Sequence, residues 1–203
     1  MTAEAHRKLL MRRVDLADSE TNQDILIRQA CSDRAAFARL YRIHYERVFR
    51  YCCRRLFNRH DAEEVTSTVF FRVMRTIRTF EGNSDGFRHW LYRIATNAVN
   101  DHLKTAKRRA DTIRNAAQEY GRGHAFAAKS DKELQKRNLA VKQAILGLKP
   151  KYQTVITLRF FEKMRLVEIA EILGQNPATI RTQLARALSR LRKELGAIAR
   201  LEP

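Results

Sequence analysis

In the last third of the chain, apolar residues recur at helical spacing in two consecutive stretches. The first stretch covers residues 169–173 and stops at Gly174, where a left-handed residue without a Cβ can close a helix. In the second stretch Ile180, Leu184 and Leu188 recur every four residues and are predicted to face inward. The pattern predicts two helices separated by a sharp turn.

The residues of the turn support this prediction. Asn176 can cap the second helix by accepting from a free backbone amide, and Pro177 suits the first helical position, where a missing N–H costs nothing. The layout is that of a helix-turn-helix with a recognition helix. An ordinary basic helical hairpin is the alternative. The polar residues of the second helix are Arg181, Thr182, Gln183, Arg186 and Arg190.

Helical spacing also dominates the first half of the chain. From Ile25 to Leu56, apolar intervals of three and four residues predict one long or two consecutive amphipathic helices. A new helix is expected after His60, with Asp61 as N-cap and Glu64 completing a capping box. Most of its apolar surface is expected to be buried, namely Val65, Val69, Val73, Ile77 and Phe80, widened by Phe70, Phe71 and Met74.

A third helix is predicted after a polar segment. Residues 81–86 form a turn by composition, and the helix is expected to begin near Phe87. Trp90 is assigned to the core, with a stacking platform as the alternative. The other inward residues are Leu91, Ile94, Ala95, Ala98 and Val99, and the helix finishes in Lys104, Lys107, Arg108 and Arg109.

The domain organisation follows from where this periodicity stops. Residues 111–138 have little apolar periodicity and are interpreted as a flexible or partly helical linker. We predict an all-α protein with two small helical domains, the C-terminal one a helix-turn-helix. The first domain covers residues 24–110 and the second covers residues 139–203, while residues 1–23 form an extension without an assigned role.

Composition and charge narrow the partners. The 203 residues carry a formal net charge of +18, which attracts polyanions and favours nucleic acid. No run of about 18 apolar residues exists and the N-terminus lacks the apolar centre of a signal peptide, so we expect a cytoplasmic protein. Cys31, Cys52 and Cys53 lack metal-ligand or redox spacing and are interpreted as reduced thiols, with redox sensing as the alternative for the last two.

Three segments carry the ordered motifs of a known family. Residues 61–70 resemble region 2.2 of the extracytoplasmic-function sigma factors, the bacterial subunits that direct RNA polymerase to promoters. Residues 87–97 (FRHWLYRIATN) resemble the signature around regions 2.3 and 2.4, and residues 148–191 resemble region 4, including Arg159-Phe160-Phe161-Glu162. Three motifs in the family's order, on either side of a linker, are far more specific than one.

The resemblance implies that the first domain reads the minus-ten element as a melted strand. Taking bases out of a stack costs a few kcal/mol, which aromatic platforms, pockets and backbone cations recover. Asn97 would contribute to a base pocket because an amide both donates and accepts; the alternative is a helix-surface amide. The cations are either phosphate contacts or solvated charges. The implied residues are Asn83, Ser84, Asp85, Phe87, Arg88, Arg93, Asn97, Lys104, Lys107 and Arg108.

The resemblance implies that the second domain reads the minus-thirty-five element in the duplex major groove, where all four base pairs can be distinguished. Arg181 and Thr182 lie early on the recognition helix, where base edges are usually reached. Arg186 and Arg190 would hold phosphates, and Gln183 would face either a base or solvent. The implied residues are Thr179, Arg181, Thr182, Gln183, Arg186 and Arg190.

Core polymerase would bind through region 2.2, and here the chain departs from the family. Ser67 and Thr68 stand where members commonly have an amide–acid pair, which weakens the expectation of polymerase binding. Gln175 replaces a usual aliphatic residue and is expected to loosen the turn. The implied polymerase contacts are Asp61, Glu64, Ser67, Thr68, Phe71 and Arg72.

The sequence therefore predicts a sigma factor that binds core RNA polymerase and promoter DNA, with an anti-sigma factor as a further candidate partner. No cofactor and no enzymatic activity are expected, since the six His are scattered and no catalytic constellation stands out. One alternative is an autonomous helix-turn-helix regulator that binds duplex DNA without polymerase. Another is a basic RNA-binding or scaffold protein with steep salt dependence.

Overall fold

The computed structural model describes the backbone of residues 22–116 and 132–201, and the side chains of residues 22–109 and 139–196. Over these residues the chain is helical without a β-strand, which confirms the all-α prediction. None of the described helices combines the length and apolar character needed to span a membrane. The helices are α1 (22–30), α2 (Arg34–Leu56), α3 (Arg59–Thr76), α4 (Ser84–Ala116), α5 (Lys132–Leu146), α6 (Pro150–Ile156), α7 (Leu166–Leu173) and α8 (Pro177–Leu201).

Two short segments extend this series: a 3-10 turn at Ile77–Thr79 follows α3, and a π-helical turn at Thr157–Phe161 continues α6. The described residues pack into two compact units. One consists of residues 22–53 and Asn58–Ala95, and the other of Arg54–Phe57 and the chain from Thr96 onward.

The first unit has an apolar core built by α1 to α4. Aromatic rings close one part of it: Phe87 packs edge-on against Phe80 at 5.5 Å between centroids and lies 5.6 Å from Trp90. Trp90 is therefore part of the core, as predicted, with its side chain half-buried. Cys52 and Cys53 lie in α2, also as predicted. Fully buried core residues include Leu40, Val48, Tyr51, Val69, Val73 and Leu91.

The start of α3 differs from the prediction. The N-cap is Asn58 rather than Asp61, because the Asn58 side chain accepts from the amides of His60 at 2.9 Å and Asp61 at 3.3 Å. Phe57, with a φ of 53°, lets the chain turn immediately after α2, so that α3 begins sooner than expected. Asp61 lies in the first turn instead, where its negative charge interacts favourably with the positive end of the helix dipole.

The buried face of α3 is narrower than predicted. Val65, Val69 and Val73 are buried, but Phe71 is 55% exposed and Met74 is 52% exposed. A helix turns by about 100° per residue, so both side chains lie beyond the arc that the valines occupy. The prediction that most of the apolar surface of α3 is buried was wrong for these two residues.

Helix α4 also begins earlier than predicted. It starts at Ser84 rather than near Phe87, so Ser84–Gly86 form its first turn instead of a loop. The Asn83 side chain accepts from the amide of Gly86 at 2.9 Å, and Asp24 accepts from the amide of Ser84 at 2.6 Å. These two side chains accept from backbone amides that have no partner inside the helix, so the helix can begin at Ser84. Composition alone had assigned this segment to a turn.

The second unit contains the helix-turn-helix. Leu148, Tyr152, Ile156 and Ala187 form a buried cluster between α6 and α8. Leu184, Leu188 and Leu191, which are partly buried, pack against this cluster.

Of the predicted linker, residues 111–116 continue α4 and residues 132–138 belong to α5, whereas residues 117–131 lie outside the described part of the chain. The extension predicted at residues 1–23 falls outside it as well, apart from the last two residues.

Candidate nucleic-acid interface

The turn between α7 and α8 is built by local backbone chemistry. Gly174 adopts a φ of 60° and a ψ of 39°, the left-handed conformation that was predicted. The next amide, that of Gln175, donates to the carbonyl of Ala170 at 2.9 Å and so closes the end of α7. Asn176 then caps α8 by accepting from the amide of Ala178 at 2.8 Å. These features confirm the predicted helix, glycine stop and capped second helix.

The inner face of this motif is apolar and closed. Ile169 and Ile180 are fully buried, and Ile172 is 2% exposed. At the start of α7 the buried Glu168 accepts from the backbone amide of Arg165 at 2.5 Å, which stabilises the first turn. The inner packing fixes the angle at which α8 leaves the turn, and therefore which of its side chains face outward.

The outer face of α8 is polar and basic. Thr179, Thr182 and Arg186 recur at i, i+3 and i+7, opposite the buried Ile180 and Ala187, and all three are exposed. Such a face, on the second helix of a helix-turn-helix, can enter a major groove. Arg181 is exposed on the flank of this face and Arg190 is exposed near the end of the described side chains.

Two residues of the predicted set on α8 have partners inside the protein. The Arg190 guanidinium lies over the Tyr152 ring, 5.0 Å from its centroid. The Gln183 side chain is half-buried, and its Nε2 donates to Oε1 of Gln175 at 2.7 Å. Gln175 was expected to loosen the turn, and it instead joins the turn to α8.

The predicted minus-ten residues lie on α4 or directly before it. Phe87 is 1% exposed, so its ring supports the start of α4 and does not face solvent. Ser84 and Arg88 are half-buried, and the Nη2 of Arg88 lies 3.8 Å from the Oδ1 of Asp85. The remaining residues of the set are exposed: Asn83, Asp85, Arg93, Asn97, Lys104, Lys107 and Arg108.

From Thr96 onward, one side of α4 carries a continuous polar stripe. Asn97, Asn100, Lys104 and Arg108 recur at intervals of three or four residues, while Ala98 and Val99 are buried on the other side. The stripe carries an amide at its beginning and cations further along. That composition can combine contacts to a base edge with contacts to a phosphate backbone.

The residues implied in polymerase binding lie on one side of α3. Glu64, Ser67, Thr68 and Phe71 are exposed, whereas Asp61 and Arg72 are half-buried. The hydroxyls of Ser67 and Thr68 donate back to the carbonyls of Glu63 at 3.0 Å and Glu64 at 3.1 Å. These two side chains therefore offer a partner less hydrogen-bonding capacity than an amide–acid pair would.

Met74 extends this surface and was not predicted to belong to it. Ser67, Phe71 and Met74 recur at i, i+4 and i+7, and the two apolar members are exposed. Met74 had been assigned to the core. Met74 lies about 100° around the helix from Val73 and about 140° from Val69, and this offset from the buried valines is the signal that could have identified it.

Within the described part of the chain, no group of three His, Cys, Asp or Glu side chains is arranged to hold a metal ion. The chemistry available at the three surfaces is hydrogen bonding, charge and apolar contact. All three properties serve macromolecular binding.

Comparison with known proteins identifies relatives for both parts of the chain that carry these surfaces. Residues 40–109 match the family model of Sigma-70 region 2, and residues 138–191 match that of Sigma-70 region 4. The chain is similar to the ECF RNA polymerase sigma factor BldN of Streptomyces coelicolor, with 31% identity over 185 residues that cover 91% of this chain and 69% of that one. It is also similar to the ECF RNA polymerase sigma factor SigW of Bacillus subtilis, with 33% identity over 172 residues, 80% of this chain and 90% of that one.

A solved structure shares the fold. The sigma factor RpoE of Bartonella quintana, in a co-crystal with the anti-sigma factor NepR, aligns with a TM-score of 0.60 at 18% identity, covering 82% of this chain and 98% of that one. The two family models and the two relatives cover both halves of the chain, and they confirm the resemblance stated from its motifs. The chain belongs to the extracytoplasmic-function sigma factors of the sigma-70 family.

Proposed function

We propose that this sigma factor binds core RNA polymerase through α3 and reads two promoter elements with two separate surfaces. Sigma factors of this family direct transcription initiation with RNA polymerase, and the chain has both of the family's conserved regions. The observation that carries the proposal is the exposed polar face of α8 on a closed helix-turn-helix core. In the proposal, the first domain covers residues 24–110 and the second covers residues 139–203, joined by the linker at 111–138.

The minus-thirty-five element is assigned to α8. Arg181 and Thr182 lie in its first two turns, where side chains of a recognition helix reach base edges, and an arginine can bind a guanine with two parallel hydrogen bonds. Arg186 follows one turn later and is assigned to a phosphate. Gln183 is assigned a supporting role, because its amide is already bonded to Gln175.

The minus-ten element is assigned to the exposed polar residues of α4 together with Asn83 and Asp85. Asn97 is exposed between buried neighbours, so its carboxamide is available to a base edge. Lys104, Lys107 and Arg108 are exposed further along and are assigned to the backbone of the melted strand. The buried Phe87 is assigned to positioning the start of α4.

The polymerase contact is assigned to the exposed side of α3. Phe71 and Met74 supply apolar area there, and exposed apolar side chains grouped on one face are typical of protein interfaces. An anti-sigma factor is a further candidate partner, because the structurally similar RpoE was solved in complex with one. The proposal includes no catalytic step and locates the protein in the cytoplasm, where polymerase and promoters meet.

Mobility shifts on fragmented genomic DNA test this function. Three reactions are compared: this protein alone, core RNA polymerase alone, and the two together. The proposal predicts sequence-selective complexes only when both are present. Sequence-selective complexes with the protein alone would support an autonomous DNA-binding regulator. Unselective complexes whose affinity falls steeply as the salt concentration rises would support a basic RNA-binding or scaffold protein.

A pair of variants connects the result to α3. Phe71→Ala removes an exposed ring from the proposed polymerase surface, whereas Ile25→Ala truncates an exposed apolar residue on α1. The first variant is expected to weaken binding to core polymerase at least several-fold, and the second is expected to bind like the unmodified protein. Equal binding by both variants would remove Phe71 from the polymerase contact.

A further inference from the structure

A surface cavity of about 330 Å³ lies in the first unit, between the start of α2 and the end of α3. Part of its lining is apolar: Ala30 and Ile77 are buried, and Phe37 is half-buried. Met74, which is 52% exposed, also lines it. The cavity therefore continues the exposed apolar side of α3 toward the end of that helix.

The polar part of the lining favours an anion. Arg34 and Arg78 contribute two exposed guanidinium groups. The carboxylate of Asp33 is committed to the start of α2, because it accepts from the amides of Ala35 at 2.9 Å and Ala36 at 3.1 Å. An apolar lining beside two cations suits a ligand that combines aliphatic and acidic groups.

Hydrogen bonds hold the two sides of the cavity together. The Nε of Arg78 donates to the carbonyl of Cys31 at 3.1 Å. The Sγ of Cys31 donates to the carbonyls of Ile27 at 3.5 Å and Ile77 at 3.4 Å. These bonds connect the turn after α1 to the 3-10 turn after α3, so the cavity is preformed.

The chain contains a segment of matching composition just before α1. Residues 14–20 (VDLADSE) include the aliphatic Val14 and Leu16 and no Lys or Arg. Residues 7–13, which precede them, are strongly basic and would be repelled by the two guanidinium groups. The carboxylates of the matching segment are those of Asp15, Asp18 and Glu20.

The covalent connection allows this segment to reach the cavity. Helix α1 covers residues 22–30, a rise of about 12 Å, and its last residue, Ala30, lines the cavity. An extended chain spans about 3.3 Å per residue, so roughly four residues cover the length of α1. Because the segment is attached to the same chain, a contact of modest intrinsic affinity is sufficient to populate the bound state.

We propose that residues 14–20 dock in this cavity and regulate access to the polymerase-binding side of α3. The aliphatic side chains fill the apolar part, and the carboxylates pair with the guanidinium groups of Arg34 and Arg78. Docking covers Met74, so the segment competes with core polymerase and lowers the affinity of the sigma factor for it. The competition rests on the proposed function, whereas the docking itself does not.

The reactivity of Cys31 reports whether the cavity is covered. Its thiol lines the cavity and is partly exposed, so docking should slow its alkylation by iodoacetamide. Trypsin releases it in a peptide of its own, residues 29–34. Cys52 and Cys53, which do not line the cavity, share the peptide of residues 51–54 and serve as an internal control. Mass spectrometry of both peptides gives the two labelling rates in the full chain.

Three variants test the docking. Asp18→Lys places a cation near Arg34 and Arg78, and Leu16→Ser removes an aliphatic side chain. Glu4→Lys is the matched control, because it makes the same change of charge outside residues 14–20. A fourth protein, which combines Asp18→Lys with Arg34→Glu, restores attraction between the segment and the cavity.

The proposal predicts several-fold faster labelling of Cys31 in Asp18→Lys and Leu16→Ser, a return toward the unmodified rate in the combined variant, and no change in Glu4→Lys. Unchanged labelling in both single variants would overturn it. An equal rise in the peptide of residues 51–54 would overturn it as well, because the whole unit would then have loosened. Protection of Cys31 that increases with protein concentration would assign the cavity to a second copy of the chain instead.

Binding to core polymerase tests the competition separately. Leu16→Ser should bind core polymerase several-fold more tightly than the unmodified protein, and Glu4→Lys should bind like it. Faster labelling with unchanged affinity would overturn the competition and remove Met74 from the polymerase contact. Unchanged labelling in a protein that still shows polymerase-dependent promoter selectivity would overturn the docking and leave the proposed function intact.

Discussion

The Nε2 of Gln183 donates to the Oε1 of Gln175 at 2.7 Å, which joins the second residue before α8 to the second turn of that helix. The Oε1 of Gln183 is buried and has no hydrogen-bond partner. The carboxamide of Gln183 is therefore directed toward the turn rather than toward solvent. This assigns Gln183 to the stability of the motif, although it lies among residues that contact DNA in the proposal.

A double-mutant cycle tests that assignment. Gln175→Ala and Gln183→Ala are each expected to lower the free energy of unfolding by about 0.5 to 1 kcal/mol, the usual worth of one hydrogen bond. The double variant should lose little more than either single variant, because both remove the same bond. Urea denaturation measures the three values. A changed base preference for Gln183→Ala in promoter selection would instead make it a reading residue.

Gly174 is expected to be sensitive to substitution for a conformational reason. It closes α7 with a φ of 60°, where an L residue is strained by about 1 kcal/mol. Gly174→Ala should therefore lower stability by about that amount in thermal unfolding.

Gly196 provides the matched control for Gly174. It lies inside α8, and an added Cβ there meets nothing within 4 Å. Gly196→Ala should raise stability by about 0.5 to 1 kcal/mol, since alanine favours a helix interior. If both variants were stabilised, or both destabilised, backbone conformation would not explain the effect of substituting Gly174.

The stability of the first unit should depend on pH through His44. Burial, and secondly the nearby Arg47, lowers the pKa of His44 from 6.5 to about 4. The folded protein keeps this imidazole neutral while the unfolded chain protonates it, so stability is constant above about pH 7 and falls as pH drops through 6.5 toward 4. Relative to pH 7, the free energy of unfolding should be lower by roughly 2 kcal/mol at pH 5.

Denaturation of the His44→Gln variant between pH 7 and pH 5 isolates this effect, because glutamine cannot be protonated in that range. Its stability should change less over the interval than that of the unmodified protein. His60→Gln, which replaces an exposed imidazole at the start of α3, serves as the control. A His44→Gln variant with the full original pH dependence would show that other groups cause it.

Arg181 should confer sequence preference at the minus-thirty-five element. If it contacts a base, Arg181→Ala should weaken use of promoters that carry the preferred base pair by about 1 to 3 kcal/mol and relax the preference there. Arg186→Ala, as loss of a phosphate contact, should weaken all promoters alike. Transcription from a set of promoters with single substitutions measures both, and a uniform loss for Arg181→Ala would make it a phosphate contact as well.

Asn97 should act after polymerase binding. Asn97→Ala is expected to leave the affinity for core polymerase unchanged and to reduce the rate of promoter opening at least several-fold, with altered minus-ten selection. Permanganate footprinting of unpaired thymines follows the opening. Gln143→Ala, an exposed amide on α5, is the control. Unchanged opening and start sites would remove Asn97 from the reading surface.

The helix-turn-helix could be predicted from the sequence because its signals are local. Gly174, Asn176 and Pro177 each act through backbone geometry within a few residues, so the chain itself carries the turn. The helix starts at Asn58 and Asn83 were predicted less well. Several polar residues near each start can cap a helix, and the preceding chain decides which of them does.

The remaining features depend on contacts that no short segment carries. The burial of Arg55 results from Gln153 and Asn100, which lie 98 and 45 residues away. The exposure of Phe71 and Met74 depends on how much of α3 its neighbours cover. Apolar periodicity identifies a helix that has a buried side, but it does not give the width of that side.

Mapping the 5′ ends of transcripts tests whether this protein directs promoter-specific initiation. Core RNA polymerase free of other sigma factors transcribes fragmented genomic DNA with and without this protein. For a sigma factor that reads two promoter elements, we expect discrete new start sites that share two spaced upstream motifs. If no new start sites arise while the same core responds to another sigma factor, the claim that this protein directs promoter-specific initiation is contradicted.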